Sequence, residues 1–72
     1  MKKIQTVIFK DKSKYFGEFK NSEMNGQGTH KFPDGSKYIG HFKNNLENGE
    51  GALIWPDGKT EKGIFKNGKR IK

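Results

Sequence analysis

The chain has no cysteine. That removes a disulfide framework and any thiolate-held metal, and it fits a reducing compartment. It also lacks any apolar run near the roughly 20 residues that a spanning helix needs. The opening MKKIQTVIFK starts basic, but its apolar runs are too short for the core of a secretory signal. The expectation is a soluble, cytoplasmic protein. Arginine is almost missing: Arg70 is the only one among 15 basic residues. Forked guanidinium contacts, the usual means of reading bases or clamping phosphates, are therefore scarce. Apolar residues make up only 29% of 72, so a single small domain, residues 1–72, with a thin core is the most that can form.

Aromatic rings are what the chain does have. Six Phe, two Tyr and one Trp carry much burial per residue, and they argue against disorder despite a net charge of +7. A lysine-rich charge of this kind is first of all a solvated surface that attracts anions without specificity.

The rings are spaced regularly. Aligned on itself at 23 residues, the chain superposes Gly17, Gly40 and Gly63, then Phe19, Phe42 and Phe65, then Lys20, Lys43 and Lys66, then Asn21, Asn44 and Asn67. Tyr15 meets Tyr38, Phe9 meets Phe32 and Trp55, and Pro33-Asp34-Gly35 meets Pro56-Asp57-Gly58, with Asp11 in the place of Asp34. No insertion is needed. A fixed period in this range marks a stacked repeat.

Each unit reads as β. Pro-Asp-Gly suits a turn: Pro presets φ, Asp bonds its own backbone and Gly accepts positive φ. Beyond the turn the side chains alternate. Tyr38, Gly40 and Phe42 face one way, while Lys37, Ile39, His41 and Lys43 face the other. If Phe32 pairs with Ser36, His30 lies opposite Tyr38 and Gly28 opposite Gly40. The glycines then leave a floor for neighbouring rings. A nucleotide loop is disfavoured, because these Gly-x-Gly pairs precede strands rather than helices.

The segments YFGEFKN…NGQGTHKFPDG and YIGHFKN…NGEGALIWPDG resemble MORN repeats (membrane occupation and recognition nexus). Two full units span about 15–37 and 38–60, with partial units over 1–14 and 61–72. Glu61 departs from the pattern's Tyr and Lys72 from its Gly. Ser22 and Asn45 replace the glycine that Gly68 keeps. The hairpin units predict an all-β fold, a single-layer antiparallel meander of stacked 23-residue β-hairpin repeats with six or seven strands and helix at most at the C-terminus, and the resemblance implies an elongated, twisted single sheet of hairpins. It also implies binding, scaffolding or dimerising roles, a link to phospholipids in some members, and in one bacterial group an association with toxin–antitoxin systems.

Catalytic chemistry finds no constellation. His30 and His41 fall on opposite faces, and His30 holds the place of Val7 and Leu53, so a packed histidine is expected rather than a ligand. No nucleophile, base and orienter can be assembled. No catalytic residue, metal or cofactor is expected.

Two surfaces remain. The aromatic face, with Tyr15, Phe19, Phe32, Tyr38, Phe42, Trp55 and Phe65, is the expected partner-binding surface, since contiguous apolar area marks interaction. The opposite face carries Lys20, Lys43 and Lys66, repeating every ~9.5 Å at ordinary strand spacing. It is the expected contact for an anionic ligand such as a phospholipid surface. Lys14 and Lys37 form a second short row. Rings and lysines on opposite faces disfavour single-stranded nucleic acid. The expected function is a non-enzymatic protein-interaction or scaffold module. It self-associates as a homodimer through the aromatic face or sheet edges, and it binds another protein. The alternatives are an anionic-ligand binder, peripheral at a membrane, and an antitoxin-like or inhibitory partner of another protein.

Overall fold

The computed structural model describes residues 3–72. Seven strands follow in order: β1 (Lys3–Ile8), β2 (Lys14–Lys20), β3 (Glu23–Lys31), β4 (Lys37–Lys43), β5 (Leu46–Ile54), β6 (Thr60–Lys66) and β7 (Lys69–Arg70). Each pairs antiparallel with the next in one open sheet. The fold is all-β, with no helix among the described residues. The C-terminal helix allowed for above is not there. Arg70 pairs with Phe65, and the Ile71 amide donates to the Ile64 carbonyl at 2.8 Å, so these residues extend along β6.

Two kinds of turn alternate. After β2, β4 and β6 the chain reverses over two residues with positive φ: Asn21 and Ser22 (52° and 65°), Asn44 and Asn45 (52° and 70°), Asn67 and Gly68 (52° and 86°). This is the two-residue hairpin turn whose twist matches that of the strands, and asparagine tolerates it best after glycine. The second kind closes over three residues. Phe32 N–H donates to the Ser36 carbonyl at 2.8 Å, and Gly35, at φ 96°, donates to the Phe32 carbonyl at 3.1 Å. Asp34 Oδ1 accepts from the Ser36 amide at 2.9 Å and from its hydroxyl at 2.6 Å. Asp11 makes the same pair of bonds with Ser13, at 2.8 and 2.6 Å. That first turn has neither Pro nor Gly, and Lys12 sits at φ 76° in the glycine's place. These bonds hold both carboxyls below their ordinary range.

The expected register is found: His30 pairs with Tyr38 and Gly28 with Gly40. A bulge interrupts it once per unit. Gly17 pairs with Gly28 but Phe19 with Met24, so Asn25, Gly26 and Gln27 lie opposite Glu18. The β4–β5 pair repeats this between Gly40 and Phe42.

The core lies wholly on one face. Tyr15 and Tyr38 are 0% exposed, and Met24, Phe42 and Phe65 are buried beside them. The rings meet edge to face. Tyr15 touches Phe19 and Phe42, with centroids 5.0 Å apart in each pair. Tyr38 touches Phe42 at 5.1 Å and Phe65 at 4.8 Å. This is the favoured geometry for ring quadrupoles. A Cβ on Gly28 would overlap the Tyr15 ring, and one on Gly51 the Tyr38 ring. The glycine floor is thus a cross-strand device: each tyrosine lies over the glycine of the following strand. Its hydroxyl donates to a main-chain carbonyl, Glu18 at 2.8 Å for Tyr15 and His41 at 3.0 Å for Tyr38. Burial pushes both phenols up to about 12.

Candidate interaction surfaces

Six of the seven residues expected on the aromatic face, all but Trp55, are brought together there, but they are not equally accessible. Tyr15 and Tyr38 have no surface to offer a partner, and Phe42 and Phe65 very little. Phe19 and Phe32 pack against this cluster while remaining partly exposed. Trp55, at 40% exposure, is the prominent one. It borders an open cleft of about 720 Å³ lined with Pro56, Asp57, Lys59, Thr60 and Glu61. Its indole N–H donates to Glu61 Oε1 at 2.6 Å, and Arg70 pairs with Glu61 Oε2 at 3.2 Å. Glu61, the departure from the repeat's tyrosine, thereby ties the turn that starts at Trp55 to β7. The charges are half exposed, so the pair adds at most about 1 kcal/mol.

His30 sits inside the aromatic layer, 5.7 Å from Phe9, 4.5 Å from Phe32 and 6.4 Å from Phe42. Its Nε2 is buried without a hydrogen-bond partner. Burial holds its pKa below the ordinary value, against the pull of Glu47 and Asp11. His41 lies on the other face, its Nε2 3.1 Å from Gln27 Nε2. The two cannot share a metal. Among the described residues no three His, Cys, Asp or Glu side chains gather as they would around one.

The opposite face is banded. Lys20, Lys43 and Lys66 are exposed, each ending its strand just before a two-residue turn. At the other end of the strands Lys14 pairs with Lys31 and Lys31 with Lys37. Sequence reasoning placed Lys14 and Lys37 but missed Lys31. The register that set His30 opposite Tyr38 also sets Lys31 opposite Lys37, one step along. Like charges facing each other across strands are unfavourable, and among the described residues the one ion pair is Arg70–Glu61. Between the lysine rows runs an apolar band, with Phe16 at 56% exposure and Ile39 also exposed. Phe16 pairs with Thr6 and Thr29, and Thr29 with Ile39.

A sheet of hairpins in a 23-residue period, with tyrosines laid over glycines and surface left for contact on both faces, defines a β-repeat protein of the interaction type. The model of the MORN repeat matches residues 15–37 and 38–60, more than half of the chain. The chain belongs to the MORN-repeat family. Repeats of this family serve generally in contacts with proteins and membranes and carry no activity of their own. Among curated proteins none matches the chain.

Proposed function

We propose that this chain is a non-enzymatic interaction module that associates with itself. One observation carries the reading. A sheet one layer thick leaves Ile4, Ile8, Phe16, Ile39, Leu46, Trp55 and Ile71 exposed, a large share of the bulky apolar side chains of so small a chain. Exposed apolar area of this kind marks contact surface. Trp55 suits a second protein as an anchor, because aromatic side chains in pockets dominate interface energies. Light scattering on the eluting protein between 10 and 200 µM tests self-association, with a dimer or higher species expected. A monomer across that range overturns the reading. Trp55→Ser is expected to weaken capture of a partner protein more than exchange of Lys20, Lys43 and Lys66 for Gln.

A second reading rests on the lysine face. The Lys14–Lys31–Lys37 row holds three like charges on adjacent strands, an arrangement that an anionic ligand would relieve. At ~1 kcal/mol per lysine near an anionic surface, attachment would be weak, peripheral and salt-sensitive. Flotation with phosphatidylserine vesicles at two salt concentrations tests it. Loss of binding at high salt is expected, and equal binding at both concentrations counts against it.

A further inference from the structure

The two edges of the sheet are finished differently. At one end β7 is only two residues long, and the main chain of Ile71 and Lys72 lies against Ile64. At the other end β1 runs unbroken over six residues, paired on one side only. Proteins blunt such an edge with proline, a bulge or an inward charge. β1 has no proline, its register with β2 is continuous from Lys3 to Ile8, and its one charge stands at its start. Ile4 and Ile8, at 67% and 68%, are the most exposed large apolar side chains of the described residues.

We infer that β1 is the self-association surface, taken by β1 of a second copy in antiparallel register, so that two sheets become one. The inference rests on the self-association reading above and names its surface. The hydrogen-bonding pattern sets the register. Phe9 N–H donates to the Ser13 carbonyl, and an antiparallel ladder alternates bonded with non-bonded pairs. The β1–β2 bonds therefore fall at Phe9, Val7, Gln5 and Lys3. The N–H and C=O groups of Ile4, Thr6 and Ile8 point outward, to the free edge. A two-fold axis through Thr6 sets Thr6 opposite Thr6 of the second copy and Ile4 opposite its Ile8. All three outward residues then have partners at once. Shifting by one pair in either direction leaves an isoleucine unmatched.

The side chains agree with this register. Ile4 meets Ile8 twice and Thr6 meets Thr6, all on the lysine-bearing face. On the aromatic face Gln5 lies opposite Val7, and Lys3 opposite Phe9. No two charges within β1 face each other. The axis stands perpendicular to the sheet, so both aromatic layers remain on one side and both lysine faces on the other. The joined surface presents both Lys14–Lys31–Lys37 rows on that one side, at opposite ends of it.

Electrostatics gives the dimer a signature. Each chain carries +7, so association opposes charge repulsion that salt screens. The dimer tightens as salt rises, whereas binding of anionic vesicles by the lysine face weakens.

Since the chain lacks cysteine, a single introduced thiol reports the register. In Thr6→Cys the two Cα atoms would stand about 5.5 Å apart, the distance of a bonded pair, within disulfide reach. In Gln5→Cys the two thiols are offset by two residues and lie beyond reach. The expected result is a disulfide dimer of Thr6→Cys on a non-reducing gel after mild oxidation at 20 µM, with Gln5→Cys left mainly single. Thr6→Pro removes an outward N–H and no β2 bond, a place where an edge strand accepts proline. It is expected to keep the strand signal in circular dichroism and to raise the dimer Kd by about tenfold or more, having removed two hydrogen bonds. A dimer indifferent to Thr6→Pro, with no preference of Thr6→Cys over Gln5→Cys, overturns the β1 pairing and leaves self-association to another surface. A monomeric parent chain overturns both.

Discussion

In the two complete repeats a buried tyrosine covers the glycine of the next strand, while in the unit that begins at Glu61 a carboxylate, a guanidinium and the chain's last residues occupy that region. A Cβ on Gly51 would strike the ring of Tyr38, which is 0% exposed and tied by its hydroxyl to the His41 carbonyl. A Cβ on Gly63 would instead meet the Lys72 carbonyl and, at 2.6 Å, Arg70 Nε. The first obstacle is fixed by packing on several sides. The second is a long exposed side chain and the end of an exposed segment, held by hydrogen bonds to Ile64 and Arg70 rather than by packing on several sides. Gly51 and Gly63 face each other across β5 and β6, yet the first is structural and the second nearly free, because what lies over each changes from a core ring to a solvated ion pair.

The largest effect expected from this contrast is at Gly51. Gly51→Ala should cost about 2 kcal/mol or more, as overpacking does in a close-packed core. Gly63→Ala should cost less than half as much. Urea melts of the two variants decide the matter, and equal losses would mean that the end of the array is as rigid as its middle. A smaller loss, about 1 kcal/mol, is expected for Tyr38→Phe, which keeps the ring and removes the bond to the His41 carbonyl. The tyrosines also set an alkaline limit. Their folded pKa of about 12 lies above the ordinary 10, so the folded state favours the neutral phenol. Stability is full below pH 10 and falls as the pH rises toward 12. Tyr38→Phe should lessen that fall, as read from melts at pH 9, 10.5 and 11.5.

The three-residue turns allow a second comparison. Gly35 and Gly58 take φ 96° and 93° freely, while Lys12 takes 76° in the equivalent place. A side chain in the left-handed region costs on the order of 1 kcal/mol. Lys12→Gly should therefore stabilise the fold by somewhat less than that, since glycine also loosens the unfolded chain. A destabilised Lys12→Gly variant would show that the Asp11–Ser13 bonds, not backbone freedom, decide the turn.

Most of this architecture is legible in the sequence, for physical reasons. A period of 23 with alternating rings and lysines leaves one way to bury the rings, and Pro-Asp-Gly fixes the hairpin register, so the Gly28–Gly40 and His30–Tyr38 pairs follow. The bulge opposite Glu18 does not follow. Nothing in Asn25-Gly26-Gln27 distinguishes extra backbone from an ordinary glycine in a strand; only Gly26 at φ 101° reveals it. Accessibility was also hidden. Period two says that Tyr15 and Tyr38 share a face with Trp55, but not that rings meeting edge to face enclose one another and leave Trp55 outside. The edge bonding of β1 depends on which residues point outward, and that is set by the Phe9–Ser13 bond rather than by any residue type.

The smallest expected effect compares one position across units: His30 stands where Leu53 and Val7 stand in the neighbouring ones. Leucine and valine need nothing from their surroundings, whereas His30 has Nε2 buried with no partner and is packed by Phe9, Phe32 and Phe42. Burial lowers its pKa in the folded state, and Glu47 and Asp11 offset this only in part. The unfolded chain thus binds the proton more readily than the folded one. Stability is full above the ordinary histidine value near 6.5. It declines as the pH falls through that value and levels off below the folded pKa. Asp11 and Asp34, held below the ordinary 3.8 by their serine bonds, add their own loss only at still lower pH. His30→Leu copies the solution used at position 53 and removes both the titrating group and the orphaned nitrogen. The melting temperature of the parent chain should drop between pH 7.5 and 5, and that of His30→Leu should be nearly flat over the same range and higher at pH 5. A parallel drop in both would assign the acid sensitivity elsewhere.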